Sequence, residues 1–138
     1  MLTAQRIDWA THGNACLAVR RQVFVQEQGI APAVEFDGRD PDCIHVLAQH
    51  HDQAIGTARM LPDAHIGRVA VLAPWRGHGV GRLLMAALTE EARLRGESAV
   101  HLASQESAID FYRRLGFVAH GDMYLEAGIP HLDMTLTL

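Results

Sequence analysis

Gly77, Gly79 and Gly81 alternate with His78 and Val80 in a short connection between two segments of different periodicity. Before it, His65 to Leu72 is rich in apolar and β-branched residues and reads as a strand, closed by Pro74. After it, Val80, Leu83, Leu84, Ala87, Leu88 and Ala92 recur at the spacing of one buried helical face, and Gly96 ends the run. A helix therefore begins near Gly79. The first N–H groups of any helix lack intrahelical acceptors. The aligned peptide dipoles add about half a positive charge there. Residues without Cβ let a ligand approach that backbone closely. Such a place suits a phosphate or pyrophosphate. A turn-only role for the glycines is the alternative.

Two common phosphate binders are excluded. A dinucleotide fingerprint needs glycine at its first, third and sixth places. Counted from Gly77, the sixth place is Arg82. The phosphate loop of nucleotide triphosphatases needs a lysine, and so does Schiff-base chemistry. All 12 Lys+Arg residues of this chain are arginine.

The rest of the chain reads as one mixed α/β unit over residues 1–138. Leu2 to Asp8 is a first strand. Cys16, Val19 and Val23, widened by Leu17 and Phe24, mark a helix from about Asn14 to Gln28, ended by Gly29. Ala31 to Asp42 reads as a polar loop. Ile44–Gln49, Ala54–Leu61 and His65–Leu72 form an antiparallel meander. Beyond the long helix come a strand at Ser98–Ala103 and a short helix at Gln105–Leu115. An extended run at Phe117–Leu125, a loop at Glu126–His131 and a final alternating strand at Leu132–Leu138 complete the order. The strand–helix–strand unit around Gly79 should pair its strands in parallel or splay them, with a right-handed crossover.

Composition narrows the class further. The chain is 49% apolar and 20% charged, as expected of a globular protein. A formal charge of −4 argues against a nucleic-acid footprint. No apolar run is long enough to span a membrane. Met1 to Ala10 lacks a secretory layout, and Cys16 and Cys43 are too few for a disulfide framework, so the expected compartment is the cytoplasm. The 9 histidines, His50-His51 and Cys43-Ile44-His45 included, lack zinc-ligand spacing, and no metal is expected.

Arg76-x-x-Gly79-x-Gly81, preceded by Val69-Ala70-Val71 and Pro74, resembles the pyrophosphate-binding signature of the GNAT superfamily of N-acetyltransferases. Phe111-Tyr112-x-x-Leu115-Gly116-Phe117 resembles that family's second hallmark. Val23-Phe24-Val25-x-Glu27-Gln28-Gly29, Asp37-Gly38-x-Asp40, His45 and the Glu126–His131 loop resemble its ElaA-like branch. The resemblance implies a six- to seven-stranded mixed sheet with helices on both faces and splayed central strands. It implies acetyl-CoA as cosubstrate and a small-molecule or peptide amine as acceptor. Family members are often dimers, and the apolar last strand could support a homodimer.

Carried over residue by residue, the resemblance sets backbone groups of Val69, Ala70 and Val71 along the pantetheine arm. It sets Gly77, His78, Gly79, Val80, Gly81 and Arg82 at the pyrophosphate, with Arg76 and Arg82 as cationic contacts or as solvated surface arginines. Gln105, where the family often has asparagine, would help hold the pantetheine. Tyr112 matches the tyrosine that protonates the departing thiolate; packing alone is the other reading. Glu27, Glu126 and His131 are candidate bases for the acceptor amine, Glu126 preferred, and each could instead order a loop. Glu35, Asp37, Asp40 and Asp42 either draw a cationic acceptor or form a solvated loop. A CoA-binding sensor without transfer activity is the rival function, and a nucleotide-phosphate binder a third.

Overall fold

The computed structural model describes residues 1–138. Strand β1 (Leu2–Ile7) leads into helix α1 (Trp9–Arg20), which continues without interruption as a π-helix over Arg21–Glu27. A short helix α2 (Pro32–Glu35) and a 3₁₀ turn at Asp40–Asp42 precede the meander β2 (Ile44–His50), β3 (Gln53–Met60) and β4 (His65–Val71). Helix α3 (Val80–Leu94), β5 (Ala99–Gln105), α4 (Ile109–Arg114), β6 (Val118–Glu126) and β7 (Ile129–Thr137) follow. The strands form one 7-stranded sheet in the order β1-β2-β3-β4-β5-β7-β6. Every neighbouring pair is antiparallel except β4 and β5.

Two apolar clusters lie on the two faces of this sheet. The larger gathers Leu84, Met85, Leu88 and Ala92 of α3 against Val46, Met60, Ile66, Val100 and Met134. The smaller packs Val19, Val23 and Phe24 of the first helix on Ala70 and Leu72. Gly56 allows the close approach of α3, since a Cβ there would come within 2.9 Å of the Val80 side chain.

The central pair is splayed. β4 and β5 share only the registers His65↔His101 and Ile66↔Leu102. On its other edge β4 stays paired with β3 as far as Gly56↔Val71, and β5 runs its full length along β7. A register shift in the β3–β4 ladder falls opposite Arg68, whose φ is +49°.

Several boundaries differ from the sequence reading, each for a local reason. The first helix starts at Trp9 because Asp8 caps it, its carboxylate accepting from the Thr11 N–H at 3.2 Å. Gly13 sits under the Trp9 ring, where a Cβ would come within 2.8 Å. The Glu126–His131 loop contracts to Ala127-Gly128, both at positive φ as a type I′ hairpin turn requires, so Pro130 and His131 belong to β7. β7 is internal, between β5 and β6, and the free edge near the C-terminus is β6. The last strand therefore offers no open ladder to a second copy.

The acidic segment is neither a solvated loop nor a bare negative lure. Glu35 and Asp40 are buried. Arg20 donates to Glu35 at 2.6 Å and to Asp40 at 2.7 Å. Arg59 donates to Asp40 at 3.0 Å and to Asp37 at 2.9 Å. Only Asp42, which is exposed and unpaired, fits the solvated reading. The Arg59 bond holds the Asp37 carboxyl well below its ordinary range. Burial alone would raise Asp40, but its bonds to Arg20 and Arg59 outweigh burial and lower it.

Removing one member of such a buried set strands the others. Asp40→Ala should cost about 3–5 kcal/mol, read from the denaturant midpoint at neutral pH. Both carboxyls have depressed folded pKa values, so their contribution is complete above the unfolded value of about 3.9. It should decline as pH falls below that value towards the lower folded ones. An acid-insensitive midpoint between pH 4.5 and pH 2.5 would contradict this.

Candidate active site

The divergence of β4 from β5 opens a cavity of about 420 Å³. Its walls include Val69 of β4, Leu102 of β5, Tyr112 of α4, and Glu126 and His131 at the β6–β7 hairpin, with Phe24 and Gln28 of the first helix above. Chain order explains the convergence. β5 and β7 bring their ends together at Gln105↔His131, beside the strand that leaves them.

On the β4 wall the backbone alternates. Leu72 N–H donates to Ile55 carbonyl at 2.9 Å, and Ala70 pairs with Thr57 on that same edge. Val71 turns its carbonyl the other way, where Arg76 Nε donates to it at 3.0 Å.

Beyond the strand, the glycine connection forms an open cradle. Gly77 and Gly79 lie at φ +81° and +83°, and a Cβ at either would meet nothing within 4 Å. Gly81 answers a different need, since a Cβ there would come within 3.0 Å of the Phe111 ring. The N–H groups of Gly77, His78, Gly79, Val80, Gly81 and Arg82 all lack an acceptor within the chain. Six consecutive unpaired donors at a helix N-terminus form a ready anion site.

The two arginines of the motif divide. Arg82 is exposed and makes no ion pair within the chain. The Arg76 guanidinium grips Glu27, with Nη2 donating at 2.8 Å. That bond holds the Glu27 carboxyl below its ordinary value. Glu27 and Arg76 thus neutralise each other in this arrangement, on side chains 41% and 44% exposed.

Tyr112 is buried, with its ring edge-on to Phe111 and Phe117 at centroid distances of 5.0 and 5.7 Å. Its hydroxyl has no hydrogen-bond partner in the chain. Burial pushes its pKa up, so the phenol stays protonated through the neutral range. Gln105 lines the same cavity, but its amide donates to Gln28 at 3.0 Å and tethers the helix end to β5.

His131 is also buried. Its Nδ1 lies 2.6 Å from the Ile129 carbonyl, which can only accept, so Nδ1 donates and the ring is oriented with Nε2 towards Glu126. Glu126 Oε2 stands 3.6 Å from that Nε2, on a side chain 61% exposed. The cysteines contribute nothing here: Cys16 is fully buried, Cys43 donates to the Arg39 carbonyl at 3.3 Å, and burial raises both thiols.

A sheet split at one parallel pair, with a donor cradle beyond one of the parting strands, is the layout of the CoA-dependent acyltransferases. The model for the acetyltransferase (GNAT) domain matches residues 18–138. Among relatives by sequence, the uncharacterised protein YyaT of Bacillus subtilis is 33% identical over 140 residues, covering 97% of this chain and 95% of that protein. ElaA of Escherichia coli is 35% identical over 87% of this chain and 84% of its own, and its crystal structure superposes with a TM-score of 0.85. An acyl-CoA N-acyltransferase structure from Pseudomonas aeruginosa is 34% identical, with a TM-score of 0.84 over 98% of this chain and 99% of that one. The chain belongs to the GNAT acetyltransferase family and is an enzyme of the N-acetyltransferase class. An aminoglycoside 6'-N-acetyltransferase solved with coenzyme A shares the fold, with a TM-score of 0.79 over 97% of this chain and 96% of that one at 16% identity.

Sequence reasoning missed Arg20 and Arg59. Both lie on apolar faces, four residues after Cys16 and one after Ala58, where a charge signals a buried partner.

The cradle depends on left-handed backbone at Gly79. Gly79→Ala meets no steric obstacle, so its penalty is conformational, about 1–2 kcal/mol. The denaturant midpoint should fall accordingly, and an unchanged midpoint would mean that the turn forms without a left-handed residue.

Proposed function

We propose that the chain moves the acetyl group of acetyl-CoA directly to a primary amine, without a covalent enzyme intermediate. The observation that carries this reading is that β4, whose Val69 lines the crevice together with Tyr112, leads on to the six unpaired N–H groups at the start of α3. The residues present suit the cosubstrate. The cradle at Gly77–Arg82 and the exposed Arg82 would hold a diphosphate by charge-assisted hydrogen bonds. The open edge at Val69–Val71 would pair with the amides of the pantetheine arm as an added strand, with Gln105 at its side. A strand N–H in this stretch would polarise the acetyl carbonyl as it gains negative charge.

Acetyl-CoA supplies the activated thioester; the chain supplies the proton transfers. His131 Nε2 takes the proton from the attacking amine, and Glu126 balances the imidazolium that forms. Tyr112 donates its proton towards the sulfur that leaves. His131, oriented by Ile129 and sheltered, is a better base than Glu126, whose carboxylate is largely solvated.

Acetyl-CoA at a hundred times its Kd should stabilise the fold by about 2.7 kcal/mol, seen as a rise in Tm, while ATP and NAD should leave Tm unchanged. Tyr112→Phe should lower kcat by about 10²- to 10⁴-fold and keep that thermal shift. Full activity of Tyr112→Phe would remove the acid from the scheme. His131→Gln should lower kcat/KM by about 10²-fold near neutrality. That deficit should shrink at higher pH, where an alkylamine (pKa about 10.4) increasingly loses its own proton. Stabilisation by acetyl-CoA with no turnover on any amine would favour the sensor reading.

A further inference from the structure

Arg68 is the one charged residue of the β4 wall that the transfer scheme does not use. It is also the only non-glycine residue at positive φ inside a strand; His51, Ala64 and Ala127 lie in turns or bends. The left-handed backbone at φ +49° coincides with the register shift between β3 and β4. Non-glycine residues in that region concentrate at functional positions.

Its guanidinium is only partly satisfied. Nε and Nη2 donate to the Glu35 carbonyl at 3.3 and 3.0 Å, and Nη2 also reaches the Val34 carbonyl at 3.4 Å. Nη1 has no partner in the chain. The nearby carboxylates bind other arginines more tightly: Glu35 and Asp40 hold Arg20, and Asp37 and Asp40 hold Arg59. Arg68 keeps only the long contacts to Glu35 at 3.6 Å and Asp37 at 3.4 Å. Burial and the neighbouring Arg59 lower its pKa, whereas the Asp37 and Asp40 bonds carry that of Arg59 upward despite burial. Arg68 is thus the least compensated cation of the cluster, and its side chain is 28% exposed where it lines the cavity.

Glu126 and His131 line that cavity from the β6–β7 hairpin. A cation with a free donor on β4 and a carboxylate–imidazole pair on the hairpin recognise opposite charges. The glycine cradle lies beyond the far end of β4, so Arg68 does not belong to the diphosphate site.

We propose that the acceptor is a zwitterion, a small molecule bearing a primary amine and a carboxylate, the carboxylate bound by Arg68 and the amine turned towards His131 and Glu126. This rests on the transferase reading above and adds the acceptor class to it. A second ammonium would be repelled at Arg68, and a neutral amide would leave its Nη1 without a charged partner.

The test uses matched acceptors that differ only at the carboxyl: glycine and glycinamide, 4-aminobutyrate and 4-aminobutyramide, phenylalanine and phenylalaninamide. The readout is the acid-to-amide ratio of kcat/KM for each pair. In the native enzyme at least one pair should favour the acid by tenfold or more. Arg68→Gln should bring that ratio to near one, and Arg68→Lys should restore part of it. The ratio within each variant cancels general damage to the fold. Amides preferred across all pairs, or an acid preference that survives in Arg68→Gln, would overturn the proposal. Thermal shift separates its failure from that of the transferase reading. In coenzyme A-saturated native protein the acid of a pair should raise Tm more than its amide, whether or not turnover occurs. Equal shifts in every pair would sink the zwitterion while leaving acetyl transfer intact.

Discussion

The early parting of β4 from β5 is the constraint on which the rest of the structure depends. Two parallel strands that pair only at His65↔His101 and Ile66↔Leu102 leave later backbone groups without a ladder partner. Buried peptide groups rarely stay unpaired, so such a gap must admit water or a ligand. The sheet tolerates it because each strand keeps its other neighbour. β5 runs with β7 from Ala99 to Gln105, and β4 with β3 to Val71. An extended ligand with its own amides would complete the missing ladder. The opening is thus a general feature of the backbone, into which side chains bring chemistry from both sides.

The first helix holds the two walls at their spacing. Its π-helical end offers Glu27 to Arg76, which also bonds the Val71 carbonyl, and Gln28 to Gln105 at the end of β5. Adjacent residues therefore tie one helix to both parting strands. Beneath them, Arg20 and Arg59 fix the Pro32–Asp42 segment through Glu35, Asp37 and Asp40. Buried ion pairs of this kind are weak contributors to net stability, because desolvation offsets much of their attraction. They are strict about geometry, however. Neutralising the acids internally also leaves the positive end of the cluster, Arg68, facing the cavity.

Much of this was legible in the sequence. The element order followed from periodicity and punctuation, and the glycine connection announced a helix N-terminus because unpaired N–H groups are a property of any helix start. Tyr112 was legible through the motif around it. The arginine network was not. Periodicity reports which face is buried, but it carries nothing about which distant residue satisfies a buried charge, and Arg20, Asp40 and Arg59 meet only through tertiary structure. The same blindness hid the Glu27–Arg76 pair, in which a candidate base and a candidate phosphate contact meet each other. The helix start at Trp9 escaped because its cap, Asp8, reads as the last residue of the first strand.

The placement of charge along β4 has a direction that follows from the fold. Positive potential lies at its C-terminal end, in the cradle at Gly77–Arg82, and again at its middle, in Arg68. Between them the wall is apolar and faces Tyr112, Leu102 and Ala108. A thioester between two anion-binding places would sit in the least polar part of the crevice. There a single N–H or phenol acts through a lower dielectric than in water. A sheet that closed fully would have no such stretch, and one that splayed from the first residue of β4 would flood it. Pairing at His65 and Ile66 and none beyond is what leaves an apolar middle with polar ends.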